Sequence, residues 1–478
     1  MASPVIPLSD GFTPASRADW LALVAKTLKG QGADSLVART TDDLPVQPLY
    51  TADDSPPPLA FIPAPRDGET GWDIRAAVGD PDPAVANAQC LDALAGGAVS
   101  VLIHVDDGDG RGVRIASPEG LARVLDGVMV DLAPVALDAG FLGPTAAGWL
   151  SEVAKAAPAA PLALHLDPLS AFALAGASPG PIGAHLLAAA AIATDLAETY
   201  PQANLFLASG GVVHEAGGSP AWELAFAAAA AVAYAKGLVG AGLTIGDAFA
   251  RISIGVTVDA EPLAGIAKLR AARVLWARIT QACGVSAPAR IEARSSGRML
   301  TRADRWTNLV RLTSAGFAAA VGGADAIVLG AFTDAIGLPD PVGLRMARNT
   351  QLILMEEAHL GRVADPAGGS WAMETQTAEL ARAAWSAFVA IEAAGGLATA
   401  LNRGLVAQAV DRSRAALKAA LADRSLRVIG VTDFVGGDPA PGVTTPPPGP
   451  TANRPDTRQS GADSLCPPLT AIRLEEMV

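Results

Sequence analysis

From about residue 71 to residue 360 the chain alternates two patterns. Short apolar runs of strand length are separated by longer segments whose apolar residues recur at helical spacing. The runs are WDIRAAV (72–78), SVLIHV (100–105), PVALDAG (134–140), LALHLD (162–167), LFLASG (205–210), RISIGV (251–256), RIEARSS (290–296) and DAIVLG (325–330). Between them lie helical segments such as DPAVANAQCLDALAG, PIGAHLLAAAAIATDLAETY and EPLAGIAKLRAARVLWARITQACG. Strands buried on both faces read as near-continuous apolar runs, and most of these do. Eight strands alternating with helices is the count of a closed parallel (β/α)8 TIM barrel. An open doubly wound sheet needs no particular number, so the count favours closure.

Before the barrel, SRADWLALVAKTLKG predicts a short helix. Ser16 is placed as its N-cap, with Asp19 at the third helical position and Gly30 as the stop. Trp20, Val24 and Leu28 recur every four residues beside Leu21 and form one apolar stripe. TTDDLPVQPLYTADDSPPP then reads as an extended, proline-punctuated arm. Helix and arm dock either on their own domain or on a partner. After the barrel, residues 372–425 read as helical, and from about 436 the chain becomes a low-complexity, proline-rich stretch with the character of a mobile linker. The terminal PLTAIRLEEMV is placed to dock again. The division expected is 1–70 helix and arm, 71–360 barrel, 361–435 helical extension and 436–478 flexible tail.

Composition narrows the function. Of the 478 residues half are hydrophobic but only 5% aromatic, so alanine carries the apolar count and closely packed helices are expected. The 35 Lys and Arg against 48 Asp and Glu leave a net charge of −13, which repels phosphates and argues against nucleic-acid binding. Cys90, Cys283 and Cys466 lie far apart with no CxxC, which fits reduced cytosolic thiols and no zinc site. MASPVIPLSDGF has no apolar signal core. LAFAAAAAVAYA (224–235) is too short for a membrane span and reads as a buried helix.

In a barrel, the strands' C-terminal ends bring His104, Asp106, Asp138, His165, Asp167, Ser209, His214 and Arg294 to one mouth, where histidines and carboxylates can serve as acid, base or metal ligands. The spacing of these residues is not that of a metal motif. DDGDGRG (106–112) matches a calcium loop in composition only and reads as a solvated turn. No GxGxxG, P-loop or GxSxG occurs, against a dinucleotide enzyme, an NTPase or a serine hydrolase. SGGVVHEAGG (209–218) follows a strand and precedes a helix. It is read as an extended loop whose first residues, two glycines and two valines, cannot do acid–base work.

Several runs resemble the methylmalonyl-CoA mutase family: KLRAARVLWARI (268–279), RWTNLVR (305–311), GGADAIVLGAFTDAIGLPDP (322–341), RMARNTQLILMEEAHLGRVADPAGGSW (345–371) and AWSAFVAIEAAGG (384–396), with TTDDLPVQPLYT (40–51) in the arm. The resemblance covers roughly residues 12–435. It implies a (β/α)8 barrel whose hollow axis admits a coenzyme A thioester, a separate domain holding adenosylcobalamin, and radical isomerisation of methylmalonyl-CoA and succinyl-CoA.

Two departures follow from it. The family's cobalt-binding D-x-H-x-x-G is met only by His214-Glu215-Ala216-Gly217, with Val212 at the aspartate position and inside the barrel, so no cofactor-binding residue and no cobalamin domain is expected here. The family's catalytic S-G-Y-H-x-x-E-A-G loop places Gly211 at the tyrosine and Val212 at the histidine. Neither side chain has a hydrogen-bond donor. His214, two positions on, is the only substitute, displaced by about 7 Å in an extended segment. FIPAPRDGETGWDIRAAV (61–78) also keeps only Gly71-Trp72 and Ile74-Arg75 of the substrate-binding segment. The resemblance thus implies a cytoplasmic, non-catalytic small subunit that pairs as a heterodimer with a catalytic large subunit carrying the adenosylcobalamin. The alternative it leaves open is the barrel chain of a two-chain acyl-CoA mutase, active with a separate cobalamin-binding subunit.

Overall fold

The N-terminal helix starts where the cap residues place it. In a computed structural model describing residues 11, 15–54, 56, 61, 71–106, 112–435 and 461–478, α1 spans Arg17–Thr27 behind a capping box in which Ser16 and Asp19 exchange side-chain and backbone hydrogen bonds. The chain then turns through Gly30 at a positive φ of 92°. Part of the arm expected to be extended instead folds as a small antiparallel hairpin, β1 (Ala38–Arg39) and β2 (Pro45–Val46), because the Thr40 hydroxyl accepts the Asp42 and Leu44 amides and makes a tight turn.

All eight apolar runs form strands: β3 (Asp73–Val78), β4 (Ser100–His104), β5 (Val135–Asp138), β6 (Ala163–Leu166), β7 (Asn204–Ser209), β8 (Ile252–Val258), β9 (Ile291–Ser295) and β10 (Ala326–Val328). Every pairing is parallel, and β10 bonds both β3 and β9, so the sheet closes and leaves no edge.

The helices lie outside the barrel. After α1 they are α2 (Pro83–Ala95), α3 (Pro118–Val124), α4 (Gly143–Val153), α5 (Pro168–Ala175), α6 (Ile182–Thr199), α7 (Gly211–Glu215), α8 (Pro220–Gly240), α9 (Ile245–Ala250), α10 (Pro262–Ala282), α11 (Thr307–Val321) and α12 (Pro341–Leu352). A π-helical turn, Ile353–Glu357, follows α12, and α13 (Trp371–Ala393), α14 (Leu397–Asn402) and α15 (Leu405–Ala422) complete the set among the described residues.

Alanine decides the packing. Ala225 and Ala227–Ala231 of α8 are buried, which lets that helix sit close against β7 and β8 on one side and α13 on the other. By length and composition α8 could cross a membrane, but two-thirds of its apolar window is buried among these neighbours. The few aromatics fill what alanine leaves: Phe206 stacks on Tyr234 at 4.6 Å and Phe249 meets Trp276 edge-on at 5.4 Å. Buried Arg270 of α10 ties down Asp365 (2.8 and 3.0 Å) and Glu374 (2.7 Å), anchoring the RVADPAGGSW run to α13.

The arm lies on its own barrel. The Ser219 side chain makes no capping bond to α8, and Asp42 from the hairpin accepts the Ala221 amide at 3.1 Å instead. Both carboxylate oxygens of Asp54 accept from Arg17 Nη1 at 2.8 Å, and the Asp54 carbonyl accepts the Thr375 hydroxyl. By contrast α1 buries no residue. Trp20, Val24 and Leu28 are half-exposed, and Leu21 and Leu23 are 41% and 63% exposed. The terminal residues do return to the body, where Leu469 is buried in the main core. Most of DDGDGRG, residues 62–70 of the first-strand segment, most of the MASPVIPLSDGF run and the proline-rich stretch 436–460 lie outside the described residues.

Candidate functional site

The inward face of the barrel carries charge. Asp73 and Arg75 alternate along β3, Glu292 and Arg294 along β9, and period-2 spacing turns each pair to the same side. Arg75 donates to Asp73 (2.6 Å), Glu292 (2.5 Å) and the Ser100 hydroxyl (2.9 Å). Arg294 donates to Glu292 and to Asp138 at the end of β5, both at 2.7 Å. His104 Nδ1, at the end of β4, stands 3.3 Å from Asp138. The result is one ladder of alternating charge, Asp73–Arg75–Glu292–Arg294–Asp138–His104. Around the closed sheet β9 and β5 lie diametrically opposite. The Arg294–Asp138 bond therefore crosses the full width of the barrel. Leu102, Ala136, Ala163 and Val328 pack beside the ladder as a small separate apolar cluster.

His165 enters the same space from β6. Its backbone has φ of 45°, and the β6–β7 register slips between Ala163 and Leu166, so a bulge aims the ring inward. Nε2 lies 3.4 Å from Arg75 and 3.6 Å from Glu292, while Nδ1 has no partner. Burial, opposed by Glu292 and reinforced by Arg75, pushes the imidazole down to about 4. The ring is neutral near pH 7, so its contact with Glu292 is not an ion pair. Burial works against the Glu292 and Asp138 carboxylates too. Arg294 is the strongest influence opposing it at both, and each carboxylate is held well below the usual range.

Three of the residues expected at the mouth are engaged in buried contacts of their own. Asp106 is buried, with Arg114 at 4.0 Å. Asp167 caps α5, accepting from Ser170 N and, at 2.5 Å, from the Tyr234 hydroxyl, and burial raises its carboxyl to about 6. His214 is fully buried. The loop read as extended is the helical turn α7. Two residues along a helix turn a side chain by about 200°. His214 thus points opposite to Val212 rather than lying 7 Å further on. Its Nε2 is 2.9 Å from the Ser296 hydroxyl and its Nδ1 3.4 Å from Glu223, in a fully buried network. Glu223 also accepts from Lys268 and from the Thr257 amide, each at 2.6 Å. Burial would raise Glu223, but Lys268 and His214 bring it down to about 2. Buried and with both ring nitrogens engaged, His214 does not fit the lower ligand of a corrin.

Gly211 is the residue of this turn that faces the mouth. A Cβ there would stand 3.2 Å from Thr257 Oγ1 and 3.3 Å from Ser209 Oγ, and the Ser209 hydroxyl itself accepts the Gly211 amide. Gly210 is obligatory, since a Cβ would lie 2.2 Å from the Glu223 carbonyl. Glu215 clamps the β9–α11 loop by accepting the Gly297 and Arg298 amides. Among the described residues no group of three or more His, Cys, Asp and Glu side chains is arranged to hold a metal ion.

Residues 72–449 match the methylmalonyl-CoA mutase family model. The chain belongs to the methylmalonyl-CoA mutase family. It is 38% identical over 474 residues to the methylmalonyl-CoA mutase small subunit of Streptomyces virginiae, covering 93% of this chain and 75% of that protein. The small subunit of Propionibacterium freudenreichii subsp. shermanii is 34% identical, with 90% and 70% covered. The methylmalonyl-CoA mutase of Cereibacter sphaeroides is 29% identical, with 87% and 64% covered. Of the ladder, Asp73 and Glu292 were not anticipated as site residues, and Arg75 only as a retained position of the family's substrate-binding segment. The signal available was their alternation with Ile74 and Ala293 inside two apolar runs.

Proposed function

We propose that this chain is the non-catalytic small subunit of a heterodimeric, adenosylcobalamin-dependent methylmalonyl-CoA mutase. It is cytoplasmic and binds no cofactor. A partner large subunit holds adenosylcobalamin and isomerises methylmalonyl-CoA and succinyl-CoA. The observation that carries this reading is the Arg294–Asp138 bond between opposite strands. A thioester threaded along the axis would have to break it and bury two unpaired charges, which costs several kcal/mol. The carboxylates around the mouth would also repel coenzyme A phosphates. At the turn itself, Gly211 and Val212 offer no donor to a migrating acyl group. Losing one such donor forfeits about 2–4 kcal/mol of transition-state stabilisation.

What remains for the chain is association. The α1 stripe, unburied on its own barrel, suits docking on the large subunit, where covering Trp20 and its neighbours would contribute apolar burial. The higher identity to proteins named small subunit than to those named simply mutase points the same way. The test is co-expression with a catalytic large subunit. The two should co-elute, and the large subunit alone should lose yield or activity. Separate elution with a fully active large subunit ends the proposal. Turnover by this chain with adenosylcobalamin and a separate cobalamin-binding chain, lost in His214→Ala, would replace it with the two-chain mutase.

A further inference from the structure

The last stretch of chain, residues 461–478, runs along the barrel rim and is held there by its backbone. The Ser464 carbonyl accepts the Ser178 amide at 2.9 Å, the Cys466 amide donates to the Gly176 carbonyl at 2.9 Å, and the Leu469 amide donates to the Ala173 carbonyl at 2.8 Å. Further along, the Ile472 amide donates to Glu215 at 2.9 Å and the Leu474 amide to Arg298 at 3.1 Å. Ala173 and Glu215 belong to the last turns of α5 and α7, where carbonyls have no partner within the helix. The rim thus presents a row of acceptors to an extended strand of chain. Two glycines permit the approach. A Cβ on Gly176 (φ 73°) would lie 3.0 Å from Pro468, and one on Gly217 (φ 92°) 2.9 Å from Ile472. Arg414 of α15 spans the junction, donating to the Ala216 carbonyl at 2.7 Å and to the Thr470 carbonyl at 3.1 Å. Leu469 supplies the buried apolar anchor.

We propose that α5, α7 and the β9–α11 loop form a peptide-binding groove, filled in cis by residues 464–474, whose occupancy locks the α7 turn. The ligand class is an extended peptide read through its main-chain donors and one leucine anchor. The lock follows from length: a five-residue helix is not stable by itself, and here its C-terminal carbonyl, its following glycine and Arg414 all meet the bound segment. Occupancy holds His214 on Ser296 and Glu223 and keeps the turn from rearranging toward the mouth.

The experiment uses the whole chain with a site-specific protease sequence inserted between residues 445 and 455, folded first and cut afterwards. The released C-terminal fragment should remain bound on size exclusion and should exchange with excess synthetic peptide of residues 461–478. The same cut chain carrying Leu469→Asp should lose the fragment. On loss, the amides of Val213, Ala216, Gly217 and Gly218 should exchange with deuterium about tenfold faster or more, while those of Leu102 and Leu137 keep their protection. Unchanged exchange across 213–218 after the fragment has left overturns the lock. A fragment that free peptide never displaces, or a Leu469→Asp chain that loses protection throughout the barrel, makes the segment an integral part of the core and overturns the groove.

Discussion

Two buried ionic networks lie a few residues apart in this barrel and do different things. The axis ladder joins strands across the barrel and grows more exposed toward the mouth, where His104 and Asp138 meet solvent. The rim network of His214, Glu223, Lys268 and Thr257 sits behind the strand ends and is sealed. Each has one carboxylate at its centre. Glu292 holds two arginines that would otherwise face each other in the bore, whereas Glu223 holds one lysine and one backbone amide. The difference teaches where the fold has spent its charge: the ladder fills the space through which a ligand would pass, and the rim network fixes the turn that borders it.

The largest effect should separate the two. Glu292→Ala leaves Arg75 and Arg294 uncompensated and should cost about 3–5 kcal/mol in urea unfolding. Glu223→Gln keeps an acceptor for the Thr257 amide while stranding Lys268, and should fall at or below the lower end of that range. If Glu223→Gln proves the more damaging, the ladder is not the dominant ionic element of the barrel.

Acid should dissect the networks further. His165 is held at about 4 in the folded chain against 6.5 unfolded. The unfolded chain therefore takes the proton first, and stability falls as pH drops from 6.5 toward 4, by at most about 3 kcal/mol. His214 is likewise depressed by burial, with Arg298 adding to it, and contributes in the same direction. Glu223, lowered to about 2 from 4.5, stabilises the fold above 4.5 and loses that contribution only below it. Thermal melts of His165→Gln should show a shallower slope between pH 6.5 and 4. An unaltered slope would place the acid sensitivity outside the axis. A smaller effect is expected at the arm: Asp42→Ala removes the cap of α8 beside Glu223, and about 1 kcal/mol with it, without touching the ladder. A double mutant with Glu292→Ala that loses the sum of the two single losses would bear out that independence.

How much of this could be read beforehand follows from range. Strand runs such as SVLIHV are visible because burial on both faces demands unbroken apolar character, and Ser16 and Asp19 are visible because a cap is local. The ladder is not local. Arg294 and Asp138 are 156 positions apart, and only closure of the sheet makes them neighbours. The helical turn that carries His214 reads as extended for another reason. Two glycines and two valines are poor helix formers, and tertiary contacts override them: Glu215 on the β9–α11 loop, Arg414 on the Ala216 carbonyl, and the terminal segment on Glu215 and Gly217. Asp42 was likewise unreadable as a helix cap because it comes from a hairpin far from α8 in sequence.

The smallest expected effect is the most pointed test, because it falls where the two networks meet. Gly211 faces Ser209 and Thr257 at the mouth, and Val212 follows it on α7. Restoring the family's pair by Gly211→Tyr with Val212→His adds the missing donors and meets, of the two networks, only Thr257 directly. The new Cβ at 211 meets hydroxyl oxygens at 3.2 and 3.3 Å, a tight fit that neighbouring side chains can relieve. If the bore is closed by Arg294 and Asp138, the donors have nothing to grip. Acyl-CoA isomerisation should then stay undetectable in the double variant even with adenosylcobalamin and a cobalamin-binding chain supplied, and titration with a coenzyme A thioester should show no binding. Activity regained by the graft alone would mean that the ladder opens readily, and that the turn, rather than the axis, is what keeps this barrel silent.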